Sequence, residues 1–288
     1  KIMKIPIVGS IKIDSPLRKR FFVQNLESLK TVSDLFVWNF NIVGRYGYDC
    51  EREIKKRYEQ AVITSDNTSS YYQVVKAQLS LPDTGDKDQI LFFLQEDHWF
   101  VCPHKNLFLY LLDEFRKSSA TVLRITHLAE FWRKESAFKV LAENRLYKEY
   151  EMNSEGYRNL LHIDPAGYVT SLPGIFKKGT ANDFLEHNKE LLSKQKGSVN
   201  FELYGKKAEE FLQNKKLITL APTFHVLREV FLVNEYDRSM DAKTALAIIN
   251  TRDNPEKKIG AGRKMVNLLA SPRSLAGRLK QQIKKIGH

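Results

Sequence analysis

The stretch Gln89-Ile90-Leu91-Phe92-Phe93-Leu94-Gln95-Glu96-Asp97-His98-Trp99-Phe100 limits what this chain can fold into more than any other. Five large apolar residues in succession end in two carboxylates and an imidazole. A run that short and that apolar fits a strand buried on both faces, as in the middle of a parallel sheet. Charges inside such a layer would carry a large desolvation cost. Glu96, Asp97 and His98 are therefore expected where the strand leaves the sheet, and in open α/β sheets that carboxyl edge is where ligands bind.

The residues before this stretch alternate strand and helix signals. Ile5 to Ile13 reads as a first strand. Ser15-Pro16 gives an N-cap with proline at the first helical position, and a helix follows from about Leu17 to Thr31 on the stripe Phe21, Phe22, Leu26, Leu29. Further strands are expected over Leu35–Phe40 and Gln60–Thr64, with helices over Tyr48–Tyr58 and Tyr71–Leu81. This alternation argues a mostly parallel sheet with crossover helices, an α/β fold of Rossmann type. Beyond it, Asn106–Arg116 reads as an amphipathic helix with Leu107, Leu111, Leu112 and Phe115, and Thr121–Ile125 as a strand. Ala129–Tyr150 reads as helical or irregular, and Tyr157–Tyr168 as containing strand. Gly167–Lys178 reads as a strand and turn opening a helix to Leu192, Lys206–Asn214 as a helix, and Leu217–Ala221 as a strand. We divide the chain into a catalytic unit over 1–250, with halves 1–128 and 129–250, and an extension over 251–288.

Charge is concentrated in that extension. From Pro255 to His288 nine basic residues face the single acid Glu256, a net of +8 out of the chain's +12. Ser271-Pro272 opens a possible helix with Leu275, Leu279, Ile283 and Ile286 on one face and Arg278, Lys280, Lys284 and Lys285 around it. This pattern suits a helix lying on an anionic membrane surface, and it equally suits a helix packed on its own domain. The tail has no interleaved aromatics, so nucleic acid is not an expected partner. Cys50 and Cys102 are too few and too far apart for a disulfide scaffold or a zinc motif. No apolar run reaches membrane-spanning length and no signal peptide is visible. We therefore expect a cytoplasmic protein, peripheral on the inner membrane face if the tail binds lipid.

The cluster Glu96-Asp97-His98 offers hard oxygen ligands beside a neutral nitrogen, a set suited to Mg2+ or Mn2+ on a pyrophosphate. The same acids suit a phosphatase, a nucleotidyltransferase or a structural cap. The basic first turn of the first helix, Arg18, Lys19 and Arg20, opposes the helix dipole. It reads either as a solvated face or as a phosphate neighbour.

Three segments together resemble GT-A glycosyltransferases, in particular bacterial and viral members with a variant acidic motif. Ile90–Phe100 resembles their central LYLQDD-aromatic strand. Ser171-Leu172-Pro173-Gly174-Ile175-Phe176-Lys177-Lys178 resembles their SLQPGIWKK segment on the acceptor side. Asn200-Phe201-Glu202-Leu203-Tyr204-Gly205 resembles WEFEIEG. The resemblance spans about Ile5 to Tyr236, and it departs from the family in lacking Asp-x-Asp, with His98 where a second carboxylate often stands.

The resemblance implies a GT-A-like fold that moves a sugar from a nucleotide-sugar donor to a glycan or lipid-linked acceptor, in cell-surface polysaccharide synthesis. It implies that Gly9 and Ser10 contact the nucleotide, that Arg18 reaches the pyrophosphate and that Asp66 holds base or ribose. Asp97 would hold the donor sugar and a divalent metal (Mn2+ or Mg2+), with Glu96 orienting the loop and His225 completing the metal site. Pro173, Gly174 and Lys177 would face the acceptor, and Glu202 would be the general base of an inverting displacement. In a site without metal, Arg18, Arg20, Lys177 and Lys178 would carry the phosphate charge. The rival readings are a metal-dependent nucleotidyltransferase and a non-enzymatic membrane- or glycan-binding module.

Overall fold

The computed structural model describes residues 4–58, 60–80, 89–95, 98–102, 104–125, 135–163, 174–194, 210–224 and 226–229. The first strand, β1 (Ile5–Lys12), is buried at every position but its last. Ser15 then caps α1 (Pro16–Ser28): its hydroxyl accepts from the Arg18 N–H, with proline at the first helical position. Phe21, Phe22 and Leu26 are buried along α1, and a 3-10 turn (Leu29–Leu35) carries the chain into β2 (Phe36–Val43). There follow α2 (Gly47–Arg57), β3 (Val62–Thr64) and α3 (Tyr71–Leu79). The start of α3 is fixed by a capping box, in which the Gln73 N–H reaches the Ser70 hydroxyl and the Gln73 side chain accepts from the Ser70 N–H.

The apolar run at 90–94 does not form one strand with the residues after the acids. Ile90–Phe93 is β4, buried throughout, and His98–Phe100 is β5, which belongs to a different sheet. In β4, Ile90 and Phe92 pack into the cluster built with α1 and α2, while Leu91 and Phe93 pack into the cluster built with α3. This is the two-sided burial expected of a central strand. Next come α4 (Lys105–Lys117), whose buried stripe is Phe108, Leu111, Leu112 and Phe115 rather than one beginning at Leu107, and β6 (Val122–Leu123).

The second half departs from expectation in two places. The region read as helical or irregular contains a hairpin, β7 (Lys139–Glu143) and β8 (Tyr147–Met152). Its turn is closed by Asn144, whose side-chain oxygen accepts from the N–H groups of Leu146 and Tyr147. The region read as containing strand is a helix throughout its described part, α5 (Ser154–Ile163), with the Asn153 side chain accepting from the Gly156 N–H and Tyr157 and Leu160 buried at helical spacing. The rest is β9 (Gly174–Lys177), α6 (Lys178–His187), α7 (Lys189–Ser193), α8 (Phe211–Asn214), β10 (Leu217–Pro222) and β11 (Leu227–Glu229).

The main sheet has the order β3-β2-β1-β4-β9-β6-β10-β8-β7, and β5 pairs with β11 in a second sheet of two strands. Strands β3, β2, β1 and β4 are mutually parallel. Strand β9 runs antiparallel to both β4 and β6, and the sheet is therefore mixed. The fold is α/β with helices on both faces. The halves 1–128 and 129–250 share this single sheet, because β9 inserts between β4 and β6. Among the described residues no helix is long and apolar enough to cross a membrane. Neither Cys50 nor Cys102 is in a disulfide. The basic extension 251–288 lies outside the described residues.

Candidate functional site

The chain steps from β1 outward to β2 and β3, then returns to lay β4 on the other side of β1. Helices α1 and α2 pack in one apolar cluster and α3 in the other. The reversal is a topological switch point, the place in an open α/β sheet where the strands part and a ligand crevice opens. The pairing of β1 with β4 covers only Ile7–Phe92 and Val8–Phe93. Beyond Phe93 the two strands fork, and the residues that follow β4 out of this fork lead to Glu96 and Asp97, which lie outside the described residues.

Two buried side-chain amides replace the lost strand pairing. On the β1 side, Gln78 of α3 accepts from the Gly9 N–H and donates to the Gly9 carbonyl, each at 2.9 Å. On the β4 side, Asn25 of α1 donates to the carbonyls of Gln95 and His98. A third amide, Asn41 of β2, ties the neighbouring edge together. Its Nδ2 donates to Ser10 Oγ at 2.8 Å and to the Asp66 carbonyl at 2.9 Å, while its Oδ1 accepts from the Thr64 hydroxyl and the Asp66 N–H. All the hydrogen-bonding capacity of that amide is used.

This geometry revises several expected roles. Gly9 and Ser10 lie within β1, and both are buried. A Cβ on Gly9 would stand 2.8 Å from Phe40 Cε2, at a φ of +145°. Glycine is therefore required by packing and conformation. The Ser10 hydroxyl is engaged by Asn41. Asp66 is a turn former, because its Oδ1 accepts from the Thr68 N–H, the Thr68 hydroxyl and the Ser69 N–H. Those bonds hold its carboxyl well below the usual carboxylate range, the Ser69 contacts contributing most. Arg18 does stand at the carboxyl end of β1, with a guanidinium nitrogen donating to the Lys12 carbonyl at 2.9 Å. Of its neighbours, Lys19 is ion-paired to Asp49 at 2.6 Å and Arg20 lies half-buried on α1.

On the acceptor side the expected residues separate. Gly174 pairs with Phe93 at the carboxyl end of β4 and so reaches the fork. Lys177 pairs with Ile90 at the opposite end, and the Lys178 N–H bonds the Gln89 carbonyl. Three residues of extended chain, about 10 Å, remove Lys177 from Gly174. An antiparallel β9 imposes this, so Lys177 and Lys178 stand at the end of β4 opposite to Gly174. The basic residue level with Gly174 is Arg124. It follows the Leu123–Ile175 pair by one step, is only 3% exposed and donates its N–H to the Leu220 carbonyl.

His98 is fully buried at the start of β5, beneath α1. Pro173, Glu202 and His225 lie outside the described residues. Val226 accepts from the Val101 N–H at 2.9 Å, one residue past the β5–β11 pairing. Among the described residues no three His, Cys, Asp or Glu side chains group as a metal site.

The three amides had a visible signal in the sequence. Asn25 stands with Phe22, Leu26 and Leu29 at core spacing on α1, and Gln78 does the same with Tyr71, Val74, Val75 and Leu79 on α3. Asn41 interrupts an apolar strand. A polar residue at a core position requires a buried partner, and here the partners are the backbone ends at the switch point. No protein-family model matches the chain, and no curated protein matches it.

Proposed function

We propose that this protein is a glycosyltransferase that moves a sugar from a nucleotide-sugar donor to a glycan or lipid-linked acceptor in cell-surface polysaccharide synthesis. The observation that carries the reading is the fork between β1 and β4, from which the segment bearing Glu96 and Asp97 departs. The order β3-β2-β1-β4 is that of a mononucleotide-binding half, with its ligand crevice at this point. The GT-A resemblance of Ile90–Phe100, Ser171–Lys178 and Asn200–Gly205 supplies the chemistry.

Glu96 and Asp97 would hold a divalent cation. Gln95, which precedes these acids in the chain, and Asn25 carry buried oxygens, Oε1 and Oδ1, that meet no donor among the described residues. Hard oxygen donors suit Mg2+ or Mn2+. Such an ion supplies charge neutralisation for a departing nucleoside diphosphate. Arg18 at the end of β1 would add positive charge near the pyrophosphate. Glu202 would take the proton of the acceptor hydroxyl as that oxygen bonds the anomeric carbon, and the nucleoside diphosphate would leave with the electron pair of the broken bond. Attack opposite the leaving group inverts the anomeric centre.

A thermal-shift screen of nucleoside diphosphates with and without Mn2+, followed by assays of donor hydrolysis, tests the proposal. One nucleotide should raise the midpoint in proportion to its saturation, and Asp97→Ala should abolish both transfer and donor hydrolysis. Full activity in Asp97→Ala would overturn the assignment. Release of pyrophosphate without sugar transfer would identify a nucleotidyltransferase. The tail carries a separate arm: a chain cut before Ser271 should leave anionic vesicles and keep its turnover of soluble acceptors.

A further inference from the structure

We infer that the protein rests the carboxyl edge of its main sheet on an anionic lipid surface, through Lys12, Arg45 and Tyr48. Strands β1 and β2 stay in register to their last residues, Lys12 and Val43, four residues past the last β4 contact at Val8. The turn that leaves β2 there, residues 44–48, therefore stands on the edge from which β4 departs, outward of the fork. Tyr48 is 70% exposed, the most open of the large apolar side chains described. Arg45 and Lys12 are exposed as well.

The backbone fixes this display. The Tyr46 N–H donates to the Ile13 carbonyl at 2.9 Å, the Arg45 N–H to Asp14 Oδ1 at 3.2 Å and the Gly47 N–H to the Gly44 carbonyl at 3.0 Å. Gly44 has a φ of +98°, and a Cβ there would stand 2.5 Å from Asp14 Oδ1 and 2.8 Å from the Ile13 carbonyl oxygen. Only glycine lets the turn lie this close to the end of β1. The Arg45 guanidinium and the Lys19 ammonium lie 5.6 and 5.7 Å from the centroid of the Tyr46 ring, within cation–π range. The acids of these segments are engaged: Asp14 by Lys12 at 2.8 Å, Asp49 by Lys19 at 2.6 Å and Glu51 by Lys55 at 2.6 Å.

Four cations, Lys12, Arg18, Lys19 and Arg45, thus share the edge with the carboxylates of Asp14 and Asp49, and an exposed tyrosine belongs to the same turn. Positive charge draws in an anionic lipid surface. A tyrosine, with an apolar body and a polar tip, suits the headgroup level of a bilayer. A single-stranded nucleic acid needs aromatic faces on which bases stack, and the Tyr46 ring already carries Arg45 and Lys19. By itself so small a patch binds weakly. It acts as the second of two signals, fixing which edge of the domain the basic tail brings to the lipid. One consequence rests on the transferase reading above: a bilayer on this edge lies next to the crevice, which selects the lipid-linked class of acceptor.

Full-length chains test this by cosedimentation with vesicles of phosphatidylcholine, with and without phosphatidylglycerol. The wild type should bind only the mixed vesicles. Arg45→Gln should weaken that binding about fivefold, the worth of one basic residue at such a surface. Lys139→Gln, at an exposed lysine on the far edge strand β7, should leave it unchanged. Position is read separately from the tail: in mixed vesicles the added emission of Tyr48→Trp should shift to the blue and be quenched by brominated phosphatidylcholine, and that of Val140→Trp on β7 should not. A wild type that binds neither vesicle, unquenched Tyr48→Trp emission on bound protein, or wild-type binding by Arg45→Gln would overturn the inference. So would an Arg45→Gln chain that keeps vesicle binding and loses polyuridylic acid or free UDP, which would assign the edge to nucleic acid or to a soluble phosphate. For the acceptor, one glycan is offered in mixed vesicles with a methyl and with a long alkyl aglycone. Arg45→Gln should raise KM about fivefold for the alkyl form only. An equal effect on both forms would overturn the lipid-linked assignment, and a wild type that transfers no sugar would overturn the transferase reading. The vesicle result decides the docking edge in either case.

Discussion

Gln78 and Gly9 form a closed pair: the side-chain amide of one accepts the N–H and donates to the carbonyl of the other, both at 2.9 Å. The pair lies one residue past the last β1–β4 ladder contact, Val8–Phe93. An amide on α3 thus takes the place of a neighbouring strand, and β1 can continue to the edge while β4 turns away.

The pair makes Gly9→Ala a strong test of the fork. The new methyl would meet the Phe40 ring at 2.8 Å, and a φ of +145° disfavours any side chain. We expect a loss of about 1–3 kcal/mol in chemical denaturation. Gln78→Leu should cost a similar amount, because it strands the buried N–H and carbonyl of Gly9. If both substitutions are made together, the losses should fall short of additive, since the residues share one contact.

Asn41→Ala removes four hydrogen bonds at once. It should destabilise by about 2–4 kcal/mol and loosen the β3–α3 loop, seen as faster exchange of the Asp66 and Ser69 amides. Asn41→Asp keeps the two acceptor contacts to Thr64 and Asp66 and loses the donors to Ser10 and the Asp66 carbonyl. It should give an intermediate loss.

The elements that bury a regular stripe were legible in the sequence. Examples are β4 from its apolar run, and α1 from Ser15-Pro16 and its phenylalanines. Those signals are local, and the structure bears them out. What was not legible depends on pairing across the chain. The antiparallel insertion of β9 moves Lys177 away from Gly174, and nothing within Ser171–Lys178 encodes the direction in which that strand enters the sheet. The β7–β8 hairpin was missed because β7 is exposed at all five positions, so it shows no alternation of apolar and polar residues. Gly9 and Ser10 were placed in the right strand, but their polar environment comes from Gln78 and Asn41, 69 and 31 residues away.

The position of Lys177 yields a test in which loss and retention are both informative. Its ammonium reaches the Ser118 carbonyl at 3.4 Å, and its backbone ends β9. Lys177→Ala should lower stability slightly and leave donor and acceptor KM values within about twofold, well under the tenfold that 1.4 kcal/mol represents. Gly174→Val, at the opposite end of the same strand, should raise the acceptor KM sharply. The reverse pattern in steady-state kinetics would restore Lys177 to the site.

Glu202→Gln separates binding from proton transfer. The amide keeps the shape and cannot act as a base. Nucleotide-induced thermal stabilisation should therefore match the wild type, while transfer to the acceptor falls by two to four orders of magnitude, about the contribution of a general base. Loss of nucleotide binding in this variant would assign Glu202 to the donor.

Asp66 supplies a pH signature that needs no ligand. In the folded chain its carboxyl is held well below the ordinary value by the Ser69 and Thr68 contacts. In the unfolded chain it titrates near pH 4. The folded state therefore holds on to the carboxylate more strongly than the unfolded state does. The stabilisation is fully present above the unfolded value and is lost as the pH falls from about 4 towards the lowered folded value. Asp66→Asn removes the titrating group and leaves an oxygen that can still accept from Thr68 and Ser69. Denaturation followed from pH 6 down to pH 2 should show the wild type losing its advantage over Asp66→Asn progressively below about pH 4. A constant difference across that range would show that the loop is held by its shape and not by the charge of Asp66.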